Sequence, residues 1–302
     1  VSASAAAVGL LLAVTATTQA QAPRPTREEC DAENPVNLGR VGKDVPWVAT
    51  NEGVARAMLS MAEVASSDVV LDLGAGDGRI PIAAAKAPFG ARAVGVEYDA
   101  DLARLATCYV RAEGVADKVR IVRGDIFEED FGDASVVTMY LLPHLNLCVR
   151  HRLLALEPGT RVVSHTYTMA EWEPEKSATV LGRNIHLWTV PARVDGTWEL
   201  RDSQGAEFTV DFRQTFGDLA GEIVRGGFRA PLTGSVRGRE LRFAYAEAGT
   251  AVRASGTVRD DQLTATLLSG AAARTATGRP RGALRAGAWA QMPADCRKYY
   301  LR

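Results

Sequence analysis

Apolar residues set two different rhythms along this chain. Val54, Met58, Met61 and Ala62 recur at helical spacing, which predicts an amphipathic helix from Val54 to Val64. Val69-Val70-Leu71-Asp72-Leu73 is a short apolar run bounded by polar residues and glycine, as expected of a strand buried on both faces. The alternation then continues. Strands are expected at Ala93 to Val96, Val119 to Val122, Ser135 to Leu141 and Arg161 to His165. Helices are expected from Ile80 to Ala87, from Leu102 to Glu113 and around Leu145 to Leu156. Such alternation predicts an α/β fold, a doubly wound, Rossmann-like parallel sheet with right-handed crossovers.

After Pro191 the rhythm has a period of two. Thr197 to Leu200, Glu207 to Phe212, Leu219 to Ile223, Leu241 to Tyr245, Val252 to Val258 and Leu263 to Leu267 are short alternating runs. Gly, Asp and Arg-Gly turns separate them at roughly 8–12-residue intervals, the grammar of an antiparallel sandwich or barrel. Residues 192–302 are therefore expected to form a smaller all-β domain. Gly270 to Gly282 reads as a mobile loop before a last strand around Trp289. The sheet domain is expected over residues 46–191. Ile185 to Val190 and Thr197 to Leu200 are candidates for its two final strands, which would move the boundary towards residue 203. Residues 23–45, rich in Pro, Asn, Gly and charge, read as a linker with little structure of its own.

The 302 residues are 47% hydrophobic and 24% charged, ordinary for a globular protein. A net charge of −1 announces no nucleic-acid partner. Residues 191–302 hold 17 Lys+Arg against 12 Asp+Glu, an excess that reads as solvated surface. Residues 1–22 read as an export leader. Ala5 to Ala16 is an apolar, alanine-rich run, and Thr18-Gln19-Ala20 offers a signal-peptidase pattern with the cut after Ala20. The run is too short to span a ~30 Å hydrocarbon core, and no later segment does so. The expectation is an exported or periplasmic protein, with a cytoplasmic one as the alternative. Cys30, Cys108, Cys148 and Cys296 show no zinc spacing, so no metal is expected. Cys108 and Cys148 fall in apolar helical stretches and read as buried thiols, whereas Cys30 and Cys296 flank the folded region and could pair.

The informative stretch is Leu71-Asp72-Leu73-Gly74-Ala75-Gly76-Asp77-Gly78-Arg79. Glycines at a strand-to-helix turn let the backbone pass close to a ligand at the carboxyl edge of the sheet. A dinucleotide fingerprint would be GxGxxG; here Gly78 comes one residue early and Arg79 stands in the glycine's place. A carboxylate at Asp72 would repel a pyrophosphate. It suits a cofactor with a cationic amino-acid head, which S-adenosylmethionine has. Glu97, 19 residues after Gly78, closes the second strand where a carboxylate can accept both ribose hydroxyls. Asp125 follows the third strand and is placed to accept from an adenine amino group, with Ile126 and Tyr98 as apolar faces for the ring. Charge-assisted hydrogen bonds of this kind contribute about 1.5–3 kcal/mol each.

Residues 44–175 resemble class I methyltransferases related to the mitochondrial ATP-synthase c-subunit lysine methyltransferase family, especially bacterial relatives. The resemblance rests on Asp44-Val45-Pro46-Trp47-Val48-Ala49-Thr50, on the glycine motif, on Gly95-Val96-Glu97 and on Arg161-Val162-Val163-Ser164. It implies a protein-lysine acceptor. It also implies an acceptor pocket lined by Trp47, Tyr140, Leu142 and Pro143, with Thr50 near the methionine end of the cofactor.

Tyr140 ends the fourth strand, at the lip where an acceptor enters, and could orient an amine by its hydroxyl or ring face. His144 and His165 lie near the same edge and read as structural. The acceptor class stays open between a protein and a small molecule. A second reading is an exported, non-enzymatic binding protein built on a methyltransferase-like scaffold. A nicotinamide oxidoreductase fails on the glycine spacing.

Overall fold

The computed structural model describes residues 23–37, 39 and 46–300. The alanine-rich run read as a leader and the Asp44-Val45 pair lie outside the described residues. The first element is α1 (Arg27–Glu33), within the stretch expected to be an unstructured linker. A capping box starts it: Thr26 Oγ1 accepts from Glu29 N–H at 3.2 Å, and Thr26 N–H donates to the Glu29 carboxylate at 2.7 Å.

Next come α2 (Glu52–Met61), β1 (Val69–Leu73), α3 (Arg79–Ala85), β2 (Arg92–Glu97), α4 (Ala100–Ala112) and β3 (Val119–Arg123). They are followed by β4 (Val136–Met139), α5 (Pro143–Leu153), β5 (Arg161–His165), β6 (Lys176–Val180) and β7 (Arg183–Thr189). The seven strands lie in the order β3-β2-β1-β4-β5-β7-β6. Strands β1 to β5 pair in parallel, and β7 runs antiparallel to β5. This is the doubly wound, Rossmann-like sheet expected from the alternation. Its final pair is the β6–β7 hairpin; Thr197 to Leu200 is not a sheet strand. The exposed polar side chains of β6 gave that strand no apolar signal.

The chain leaves the sheet at Thr189 and enters a closed eight-stranded barrel at Gly196. Its strands are β8 (Gly196–Asp202), β9 (Glu207–Thr215), β10 (Asp218–Arg225), β11 (Phe228–Arg237), β12 (Glu240–Glu247), β13 (Thr250–Arg259), β14 (Gln262–Ser269) and β15 (Ala272–Pro280). Each pairs antiparallel with the next, and β15 closes on β8. Inward and outward positions alternate, and Trp198, Phe212, Leu241 and Val252 fill the interior. The segment read as a mobile loop is β15. It carries inward Arg274, Ala276 and Gly278 in place of large apolar residues, so its period was hidden. A Cβ at Gly278 would lie 2.0 Å from the Glu199 carbonyl of β8, so only glycine permits this closing contact.

One barrel end packs on the sheet domain. Phe216 stacks on Trp172 with ring centroids 5.9 Å apart, and Ala192 N–H donates to the Gly238 carbonyl at 2.7 Å. The chain then returns across the sheet domain as a strap ending in α6 (Arg297–Tyr300). The expected strand around Trp289 is a short 3-10 turn within it.

The cysteines pair differently from the expectation. Cys30 bonds to Cys108 and Cys148 to Cys296. The reason is packing. Helix α1 lies on α4, where Tyr109 donates to Asp31 and the Arg27 guanidinium covers the Tyr109 ring. The strap lies on α5, where Tyr300 donates to the Cys148 carbonyl at 2.8 Å. Native protein is accordingly expected to bind no maleimide until reduced. Removing the first bond with Cys30→Ser and Cys108→Ser should lower stability by about 2–4 kcal/mol in a denaturant titration. Four reactive thiols in the native chain would contradict this pairing.

Candidate active site

The glycine turn between β1 and α3 is left-handed at Gly74, Gly76 and Gly78, with φ of 77°, 55° and 79°. Gly76 also faces the segment before α2: a Cβ there would lie 2.5 Å from Trp47 Nε1. Both features demand glycine. The turn forms one wall of an open cleft at the carboxyl edge of β1, β2 and β4. Residues 46–50 cross its mouth, and Glu97 to Asp99 and Asp125 to Phe127 form the far side.

Glu97 joins two turns. One carboxylate oxygen accepts from Gly76 N–H at 2.7 Å and the other from Asp99 N–H at 2.8 Å. Burial pushes the Glu97 carboxyl above its ordinary range, and these amide bonds oppose the rise. Asp72 is fully enclosed and accepts from the Thr138 hydroxyl at 2.6 Å. Burial, against that hydrogen bond and reinforced by Glu97 and Asp77, pushes its pKa up to about 7. Asp125 accepts from Phe127 N–H at 3.0 Å, and the ring of half-exposed Tyr98 borders the same side as Ile126. Asp72, Asp77, Glu97, Asp99 and Asp125 all line the cleft, with Arg79 as the basic residue among its lining. Such a field favours a cationic ligand and disfavours a pyrophosphate.

At the other end Tyr140 lines the cleft, its ring centroid 3.9 Å from that of His165. His165 is buried, and burial, with a contribution from Arg183, holds its pKa down at about 4. Thr50 and Trp47 line the cleft. Leu142 and Pro143 do not. They open α5 as its cap and first residue, while Leu141 and Leu145 turn inward to the cleft. His144 is exposed and faces Tyr299 of the strap, 6.2 Å between rings. Arg79 and Asp77 were missed as site residues. Their signal was Arg79 itself, which had served only to exclude a dinucleotide. Among the described residues no His/Cys/Asp/Glu cluster could hold a metal.

A seven-stranded sheet of this order, with an acidic glycine turn and a carboxylate closing β2, defines a class I S-adenosylmethionine-dependent methyltransferase. The model of the ANTKMT methyltransferase domain matches residues 72–176. The chain is 43% identical over 143 residues to a protein-lysine N-methyltransferase of Saccharolobus islandicus, a match covering 47% of this chain and 89% of that protein. It belongs to that methyltransferase family. It is also 32% identical over 132 residues to the adenine nucleotide translocase lysine N-methyltransferase of Mus musculus, covering 43% of this chain and 56% of that protein. An RNA methyltransferase from Salinibacter ruber, solved with S-adenosyl-L-homocysteine, is 44% identical with a TM-score of 0.48. That match covers 49% of this chain and 96% of the solved one.

The buried acid has a stability consequence. The native pKa of Asp72, about 7, lies above the unfolded 3.8, so the folded chain holds that proton longer. Stability is therefore lost as pH rises from about 4 to about 7, and the penalty is complete above that. Asp72→Asn should raise the melting temperature of ligand-free protein at pH 8 and change it little at pH 4. Equal effects at both pH values would show that Asp72 does not titrate as described.

Proposed function

We propose that this methyltransferase N-methylates a lysine of a protein. The observation that carries the reading is the cleft itself, acidic at the glycine turn and ending in an aromatic lip at Tyr140. The names of the archaeal and mouse relatives support the same acceptor class.

The residues present fit S-adenosylmethionine. Asp72 and the glycine turn would face its cationic amino-acid head, and Glu97 could accept ribose hydroxyls on the lone pairs its two amide donors leave unused. Asp125 would meet the adenine amino group, with Ile126 and Tyr98 flanking the ring. When bound, the cofactor supplies an electrophilic methyl group on a sulfonium. The chain must hold a neutral amine in line with it and keep water away. Trp47 and Tyr140 offer ring faces to the amine, worth about 0.5–2 kcal/mol by cation–π attraction while it is still charged. Leu141 and Leu145 provide the apolar wall, and desolvation there lowers the lysine pKa.

Export is part of the proposal. Two disulfides use all four cysteines, as suits an oxidising compartment, with the cytoplasm as the alternative. Alkylating cells at harvest decides between them: unpaired cysteines in the native chain would place it in the reducing cytosol.

Glu97→Ala should weaken S-adenosylhomocysteine binding about 10- to 150-fold by calorimetry, from the loss of about 1.5–3 kcal/mol. The acceptor is tested by incubating the full chain with labelled cofactor and separate protein, RNA and small-amine pools. Label on a protein lysine is expected. Label on RNA or a small hydroxylated molecule, with none on protein, would overturn the acceptor assignment.

A further inference from the structure

Thr50 is gripped from two sides. Its backbone carbonyl accepts from Arg79 Nη1 at 2.6 Å, and its hydroxyl meets His165 Nδ1 at 3.2 Å. The Arg79 guanidinium is aimed by Asp77, which accepts from Nε at 2.9 Å and from Nη2 at 2.5 Å. A planar fork bound at both edges is fixed in direction as a flexible ammonium is not. On the opposite side, the His165 ring packs against Tyr140. His165 is 2% exposed and its Nε2 has no hydrogen-bond partner. An apolar ring would fill that space without leaving an orphan, so what the imidazole adds is its bond to Thr50.

These contacts form an unbroken path. Asp77 belongs to the turn that faces the cofactor, and Tyr140 belongs to the acceptor lip. Between them stand Arg79, Thr50 and His165. The segment ending in Thr50 also carries Trp47, seated on Gly76.

The geometry points to Arg79 and His165 as positioning residues that act through Thr50 to hold Tyr140 in register with the cofactor turn. Neither needs to touch the acceptor. Their effect is alignment between a methyl donor fixed by one loop and an acceptor fixed by another, where a displacement near 1 Å slows transfer about 100-fold. The inference rests on the cleft reading proposed above.

Histidine-selective NMR on the full chain tests it, with S-adenosylhomocysteine as the probe. There are four histidines, and His165→Phe assigns the relevant signal. The probe is expected to shift the His165 ring signals in the unaltered protein. Arg79→Met and Thr50→Val should lose that shift even at probe concentrations that calorimetry shows to be saturating for each variant. Arg79→Lys, which can reach Asp77 or the Thr50 carbonyl but not both, should restore only part of it. Should Arg79→Met fail to fold, Thr50→Val carries the test alone, because it deletes one hydroxyl and leaves the Arg79 bond. A His165 signal that ignores the bound probe would overturn the proposal, as would one that moves equally in Thr50→Val. A chain that binds no probe at all would remove both this inference and the cleft reading.

Discussion

The Glu97 carboxylate holds the site together. By accepting from Gly76 and from Asp99 it ties the turn after β1 to the turn after β2, so neither can move alone. A carboxylate this enclosed survives only if its oxygens are satisfied, which makes the bond pair a constraint as well as an attraction. Gly76, fixed in this way, presents a flat surface to Trp47, and residues 46–50 settle across the cleft on that seat. The arrangement carries electrostatic strain. Asp72 and Glu97 are both pushed toward their neutral forms by burial, and the Glu97 charge raises Asp72 further. A cation entering the cleft relieves both at once. The ligand-free protein is thus poised for a positively charged partner by the same burial that destabilises it, and this is why the acidic turn belongs with a sulfonium cofactor rather than a pyrophosphate.

Much of this was legible in the chain. Strands β1, β2, β4 and β5 are largely buried apolar runs, the edge strand β3 keeps Val119, Ile121 and Val122 alongside its arginines, and the Asp72-to-Gly78 spacing located the turn to the residue. Legibility failed where the physical signal is absent. Strand β6 is exposed at all but its last position, β15 points small or charged side chains inward, and β11 contains Pro231 and Gly234. Helix α1 is only seven residues long and depends on α4 for its stability. The disulfides were misjudged for a related reason. Apolar neighbours around Cys108 and Cys148 say that those thiols are covered, but not by what. Within the cleft, residue types near the strand ends were readable, whereas the direction of each side chain after β4 was not. Leu142 and Leu141 are indistinguishable in composition; only the start of α5 turns one away and the other in.

The strap that follows the barrel decides how separable the two domains are. Tyr299 stacks on Phe127 with centroids 5.0 Å apart, and Tyr300 meets the same ring edge-on at 5.2 Å. Phe127 lines the cleft beside Asp125 and Ile126, so the last residues of the strap back the wall on which an adenine ring would lie. The Cys148–Cys296 bond pins that backing to α5, and Arg152 of the same helix donates to the Ile126 carbonyl at 2.6 Å. Strand membership changes between Thr189 and Gly196, and the barrel's own core begins there with Ala192 and Val194, but apolar packing also crosses the divide. Phe127, Cys296 and Tyr299 share one cluster with Trp172 and Phe216, the last a barrel residue. A chain cut at the strand boundary would lose the cover of Phe127 and Trp172 together, exposing aromatic surface on the cofactor side and on the barrel side. The barrel therefore contributes to the methyltransferase in a specific way. Arg285 of the strap donates to Asp195 at 2.7 Å and Trp289 packs on Phe216, so the barrel anchors the strap whose tyrosine pair backs Phe127, and the disulfide keeps that return from depending on packing alone.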